Sequence, residues 1–494
     1  MLRSLSVLAL SVALGCGGPR AEPAAKPMGP PRLIVVSSLI GYVEPCGCTV
    51  DLLLGGVDRA VARVAVERAE GPTAVLVVGN TLFEGPVPEH KIGQEESKAR
   101  LLARALSRLG VDAFVPGPAD LARGPELYHT LAGAWPNVTA NVPGGAGKVL
   151  TLGELKVGVF GLGAGALPGG EATDAAAAAT QAAAALRAQG AQVVVALANV
   201  PRAALRPLSR GTAGVDLWIL GDHPGELTAA NAAGESYVIE TGDRGRNLGR
   251  ILLHEAAGPG RLADPAGDAA RQAERLKLQL QMRADIGRRS PSPELTAAIT
   301  ALKAELAALP PPATTGKRFE FELLPLPKEA PGDPEVTAWM TAWNEGLKAM
   351  NLAAAGEVPP VPPGGQAYVG IAECVDCHEE PVKVWQATPH AQAWKTLVDA
   401  GKQYDAECVS CHVIGWRAPG GTVLGKTEGK EAVQCEACHG PSQKHVEFGG
   451  GEAYTQVRVP ESVCTQCHNT QHSPKFNYAT YLPRVLGEGH VKRD

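Results

Sequence analysis

The sequence predicts a layered α/β domain on the amino-terminal side, a helical connector, and a mostly helical or irregular domain at the carboxy-terminal end. Three observations carry this. Short apolar runs alternate with helical stretches from residue 32 to about 256. Residues 257–356 are rich in good helix formers. Eight of the eleven cysteines crowd between positions 374 and 467, where aliphatic residues are sparse.

The chain has 494 residues, room for two or three domains each with its own core. A formal charge of −5 gives no reason to expect a nucleic-acid partner. Arg3 precedes an apolar run from Leu5 to Leu14 and then Gly15-Cys16. About ten apolar residues are too few to span a bilayer and suit a signal-peptide core. Residues 1–15 therefore read as a signal. They resemble a bacterial lipoprotein signal with Cys16 as the acylated residue, although Ala13 stands where a Leu is usual. Residues 16–31 carry five prolines and read as a semi-rigid tether. The expectation is export to the periplasm, the outer membrane or the cell surface, with an acyl anchor in the membrane.

In the 32–256 domain, strands are expected at Leu33–Ser37, Ala74–Val78, Lys156–Phe160, Gln192–Leu197, Leu217–Leu220 and Tyr237–Glu240. Helices are expected at Glu95–Leu109, stopped by Gly110, and at Asp174–Ala188. In the connector, Asp268–Ile286 and Glu294–Leu309 suit a helical hairpin across Ser290-Pro291-Ser292-Pro293. A strand at Phe319–Leu324 and a helix at Pro334–Met350 follow. The Pro/Gly run within 357–366 marks the boundary to the last domain, 367–494.

The eight clustered cysteines read Cys374-Val-Asp-Cys377-His378, Cys408-Val-Ser-Cys411-His412, Cys435-Glu-Ala-Cys438-His439 and Cys464-Thr-Gln-Cys467-His468. Each is C-x-x-C-H, the attachment site of haem c. Two thiols at this spacing form thioethers to one porphyrin, and the adjacent His presents its imidazole to the iron. Zinc ribbons and disulfides also use paired cysteines, but neither requires a His after every second one. Four haems are expected. His390, His445, His472 and His490 share the segment and are candidate sixth ligands. Four macrocycles would supply the apolar bulk that the side chains lack.

Tyr368-Val-Gly-Ile-Ala-Glu-Cys374, Trp385-Gln-Ala-Thr-Pro-His390 and Cys435-Glu-Ala-Cys-His-Gly440 with His445 resemble the tetrahaem cytochrome family that includes the electron acceptor of hydroxylamine oxidoreductase. The resemblance spans about 125 residues and implies closely packed, mostly bis-His haems. It leaves room for one iron without a sixth protein ligand.

The amino-terminal domain resembles the metallophosphoesterase (calcineurin-like) domain of periplasmic 5′-nucleotidases. Ser37-Ser38-Leu39-Ile40-Gly41-Tyr42-Val43-Glu44-Pro45 keeps the shape of the family's first motif, with Ser38 and Ile40 at ligand positions. Asn80 stands for the bridging carboxylate, Ala119 and Asn199 replace further ligands, and His223 is shifted by one place. Ile40 and Ala119 cannot coordinate a metal, so a working two-metal hydrolase is not expected. Cys46 and Cys48 follow on the same loop. This C-x-C pair is compatible with thiol–disulfide chemistry, with one metal ion and with a structural bridge.

The leading expectation is an electron-transfer protein serving redox partner proteins. The alternative is a haem oxidoreductase acting on a small nitrogen or sulfur compound at a five-coordinate iron. A nucleotide or phosphoester hydrolase comes last, and nucleotide binding without cleavage stays open.

Overall fold

The computed structural model describes residues 28–46, 53–221, 230–469, 472–473, 475–487 and 490. The signal, Cys16, nearly all of the tether, Cys48 and His223 lie outside the described residues.

Eleven strands build two sheets. In chain order they are β1 (Arg32–Ser37), β2 (Thr73–Gly79), β3 (Ala113–Pro116), β4 (Lys148–Leu152), β5 (Leu155–Gly163), β6 (Val193–Asn199), β7 (Leu217–Leu220), β8 (Asn231–Ala233), β9 (Ser236–Glu240), β10 (Asn247–His254) and β11 (Arg318–Pro325). The first sheet runs β11-β10-β1-β2-β3 and the second β8-β9-β7-β6-β5-β4. The pairs β1–β2, β2–β3, β5–β6, β6–β7 and β7–β9 are parallel. The remaining pairs, β1–β10, β10–β11, β8–β9 and β4–β5, are antiparallel.

Alternation along the strands explains the layers. Leu33 and Val35 of β1, with Leu76 and Val78 of β2, face the second sheet and meet Val157, Val195 and Ile219. Ile34, Val36, Val75 and Val77 point the other way, onto helices α1 (Val57–Glu70) and α2 (Ile92–Leu109). On the far side, Phe160, Leu162, Val194 and Trp218 are covered by the helices Ala175–Ala188 and Arg202–Gly211. Central strands buried on both faces are apolar throughout, which is why they read as continuous runs rather than as alternating patterns. All six expected strands form. Strands β3, β4 and β10 and helix α1 carry weaker sequence signals, and tertiary pairing completes them.

The 257–356 segment does more than separate. Its hairpin forms from Pro265–Arg289 and Pro293–Ala307. However, β11 pairs along all eight residues of β10 and extends the first sheet. Helix α3 (Pro334–Ala354) buries Val336 and Met340 in the core beside α1 and α2. Among the described residues, no helix is long and apolar enough to cross a membrane.

A buried carboxylate ties sheet to helix. Glu67 of α1 is fully buried and accepts from Arg32 of β1 at 2.8 Å and Arg63 at 2.7 Å, with Arg250 of β10 at 3.4 Å. Removing one partner leaves uncompensated charge in a low-dielectric site. Glu67→Ala is expected to cost about 3–5 kcal/mol, read as a lower denaturation midpoint by circular dichroism.

Candidate haem sites and the former metal loop

At the carboxy-terminal ends of β1 and β2 the loops that follow the two strands are bonded to each other. Ser38 and Ile40 both adopt a left-handed backbone, φ +43°. That conformation is costly for a β-branched residue such as Ile40. It is held by bonds from the Ser38, Ile40 and Gly41 amides to the carbonyls of Val78, Asn80 and Thr81. The Asn80 amide oxygen accepts from Ala119 N at 3.0 Å, and Asn199 donates to the Pro116 carbonyl at 3.3 Å. Asp120 is consumed by the amides of Thr81, Leu82 and Gly117 at 2.6–2.9 Å. A side chain at Gly117 would meet Asn80 Oδ1 at 1.9 Å. Hydrogen bonds of Asn80, Asn199 and the Asp120 carboxylate thus join these strand ends. Cys46 lies on a two-residue strand, Pro45–Cys46, paired with Leu54–Gly55.

The four cysteine motifs lie on short turns. Those at 408–412 and 435–439 are single helical segments, Ala406–His412 and Cys435–His439. Helical spacing puts residues i, i+3 and i+4 on one face, so both thiols and the imidazole address the same side. The first motif follows a 3₁₀ turn at Ile371–Glu373, and the fourth begins in Glu461–Cys464. All eight cysteines are free of disulfides, and Cys377 is exposed.

Thiols of different motifs approach one another. Cys374 and Cys435 share a hydrogen bond that raises the pKa of the first and lowers that of the second. A bond from Cys467 lowers Cys411 to about 6. Burial, then the charge of Cys464, pushes Cys438 up to about 11. The first motif therefore lies beside the third, the third beside the fourth, and the fourth beside the second.

The imidazoles are oriented by their other nitrogen. Nδ1 of His412 lies 2.5 Å from the Ala393 carbonyl, Nδ1 of His439 2.7 Å from that of Gln456, and Nδ1 of His445 3.1 Å from that of Gly451. A carbonyl can only accept, so Nδ1 carries the proton and Nε2 keeps a free lone pair. His468 Nδ1 pairs with the Ser473 hydroxyl at 3.1 Å. This is the arrangement of metal-ligating histidines, whose second nitrogen is held by an outer partner. Burial lowers the pKa of His390, His412, His468, His472 and His490, which favours the neutral form a metal needs.

Two pairs of rings are spaced for a shared metal. His378 and His445 have centroids 6.1 Å apart at 22°, and His390 and His468 lie 5.9 Å apart at 48°. One ion bonded at about 2 Å to each of two imidazoles holds their centres roughly 6 Å apart. His472 feels the charges of Arg244, Glu407 and His412, while His490 feels His439 and His378. The residues present fit haem c: paired thiols for the thioethers, and imidazoles that would hold the iron.

No local sequence signal marks the carbonyls that orient these rings, because every residue has one. Glu436, between the cysteines of the third motif, is a positioning group of the same kind. Its carboxylate accepts from the amides of Val369, Gly370 and Ser442 at 2.8–3.1 Å, joining the third motif to the approach to the first. Glu436→Ala leaves two buried amides and one part-buried amide without this partner and is expected to cost about 2–3 kcal/mol. Thermal unfolding followed in the haem absorption bands would read this as a lower midpoint.

Comparison with known proteins agrees with this geometry. Residues 373–440 match the family model described as cytochrome c554 and c-prime. No curated protein sequence matches the chain. Among solved structures, the reduced cytochrome c554 of Nitrosomonas europaea is 22% identical over 25% of this chain and 79% of its own, with a TM-score of 0.18. A 5′-nucleotidase precursor of Thermus thermophilus is 17% identical over 64% of this chain and 59% of its own, at 0.46. The sulfate thiohydrolase SoxB of Thermus thermophilus is 15% identical over 66% and 62%, at 0.45. The chain thus spans about three fifths of the length of these last two. Residues 373–440 thus match a cytochrome c554 family, which supports a haem c electron-transfer role for the last domain, and that domain is joined to the α/β sandwich.

Proposed function

We propose that this chain is an exported, lipid-anchored cytochrome that carries electrons through four haem c groups. The pairs Cys374/Cys377, Cys408/Cys411, Cys435/Cys438 and Cys464/Cys467 form the thioethers, with His378, His412, His439 and His468 as proximal ligands. The observation that carries the reading is the roughly 6 Å spacing of His378 with His445 and of His468 with His390. On that spacing His445 and His390 are the distal ligands of the first and fourth irons. Proximity to His412 and His439 favours His472 for the second iron and His490 for the third.

Haem c supplies reversible one-electron chemistry when bound. The chain's own residues hold the rings at a set spacing, keep the axial imidazoles neutral and orient them through Nδ1. With both axial positions filled by imidazole, an iron has no open place for a substrate, which favours carriage over turnover. The motif neighbours trace a path first–third–fourth–second. Cys16 supplies the anchor, and redox proteins outside the cytoplasm are the partners.

Holoprotein matured with haem c is expected to show four haems per chain by pyridine haemochrome and no response of the reduced Soret band to CO. His445→Ala and His390→Ala should each open one iron, so that about a quarter of the Soret band responds to CO. A wild-type protein that already binds CO would instead favour the oxidoreductase reading. Added Mn²⁺ or Zn²⁺ is expected to elicit no phosphoesterase activity, and chelator-sensitive turnover would overturn that expectation.

A further inference from the structure

The haem segment is held against the sandwich by a buried polar seam that converges on the second motif. Gln94 of α2 is fully buried and donates to Asp405 at 2.7 Å. Its carbonyl oxygen accepts from Asn351 of α3 at 2.7 Å and from the Ala406 amide at 3.1 Å. One helical turn on, Lys98 stands 3.0 Å from Glu95 on its own helix and 3.0 Å from Glu407, the residue before Cys408. The Lys98 side chain is 6% exposed. On the former metal loop, Glu44 accepts from Asn344 at 2.6 Å and forms an ion pair with Lys402. Lys402 also donates to Asn344 at 2.6 Å.

Glu44 and Lys98 come from the sandwich: Lys98 pairs with Glu407 beside Cys408, and Glu44 pairs with Lys402. Burial first, then the charges of Asp405, Lys402, Glu407 and Glu44, act on the Cys408 thiol, the atom that joins a porphyrin vinyl group. Charges that are inert in water matter here, because a buried seam screens them weakly. Burial and nearby charge are among the levers by which a protein sets a haem potential. A seam of satisfied hydrogen bonds also fixes geometry, since breaking any member strands a buried polar group.

We propose that the sandwich forms the electrostatic wall of the second haem site, with Lys98 and Glu44 as the positioning residues that hold the Cys408–His412 helix against it and set the potential of that haem. The inference rests on the four-haem reading above. It gives the former phosphoesterase frame a task in electron transfer. The haem at one end of the path is covered and poised by the sandwich, while the first motif, at the other end, keeps Cys377 exposed for partners.

The sign of the effect follows from charge. A cation disfavours the extra positive charge of ferric iron, so losing Lys98 should favour the oxidised state. Losing the Glu44 carboxylate should do the reverse. The test is a spectroelectrochemical titration of full-length holoprotein, resolving four midpoints in the wild type, Lys98→Met, Lys98→Arg and Glu44→Gln. Lys98→Met is expected to lower the reduced-to-oxidised ratio of one haem about tenfold at fixed potential, a shift of about 59 mV for one electron. Lys98→Arg should restore it, and Glu44→Gln should move the same haem in the opposite direction. If Lys98→Met does not accumulate, the sign for Glu44→Gln decides alone. Four unmoved midpoints, a shift spread over all four, or the same direction in both variants would overturn the assignment. A wild-type protein lacking four haems would defeat the underlying reading instead, and haem content is measured on the same sample.

Discussion

The last domain has few apolar side chains to fold around. Its one apolar cluster among the described residues holds five buried residues, Leu397, Ala406, Val409, Val413 and Leu424, against the large clusters of the sandwich. A segment of this length with so little apolar area to remove from water does not offset its conformational entropy. The rest of the domain is built from devices that specify position without apolar bulk. Backbone carbonyls grip the imidazoles, Glu436 gathers three amides, and Gln434 reaches the Ile371 amide at 2.8 Å. Such groups hold a cofactor in place, and the cofactor supplies the core.

The sandwich solves the opposite problem. Its central strands are buried on both faces. In the loop after β1 the backbone is left-handed at Ser38 and Ile40, and Asn80 accepts from the Ala119 amide beside it. The strain of that path is carried by a frame that is stable for other reasons. The same loop supplies Glu44, which reaches the haem segment through Lys402. Helix α2, whose apolar face packs on the first sheet, turns Gln94 and Lys98 toward the second motif.

The connector shows why composition alone misleads about boundaries. Helix-forming residues at 265–307 do form a hairpin. The following strand and helix have ordinary compositions too, yet β11 completes the first sheet and α3 closes its helical layer. Whether a strand extends a sheet or stands apart depends on the exposed edge it meets. That edge, β10, lies about seventy residues earlier in the chain.

What the sequence determined by itself is chemistry bound to local spacing. A C-x-x-C-H motif contains both thiols and the imidazole within five residues, so its haem is legible without a fold. Apolar runs buried on both faces are equally local, and the six strands read from them form. Tertiary structure alone decided everything that joins distant segments. It set His445 opposite His378 and His390 opposite His468, across 67 and 78 residues of chain. It chose the carbonyls that fix the tautomers, and it aligned Lys98 with Glu407. Those pairings have no sequence signature because long-range contacts are selected by packing and by the satisfaction of buried polar groups, which depend on the whole chain at once.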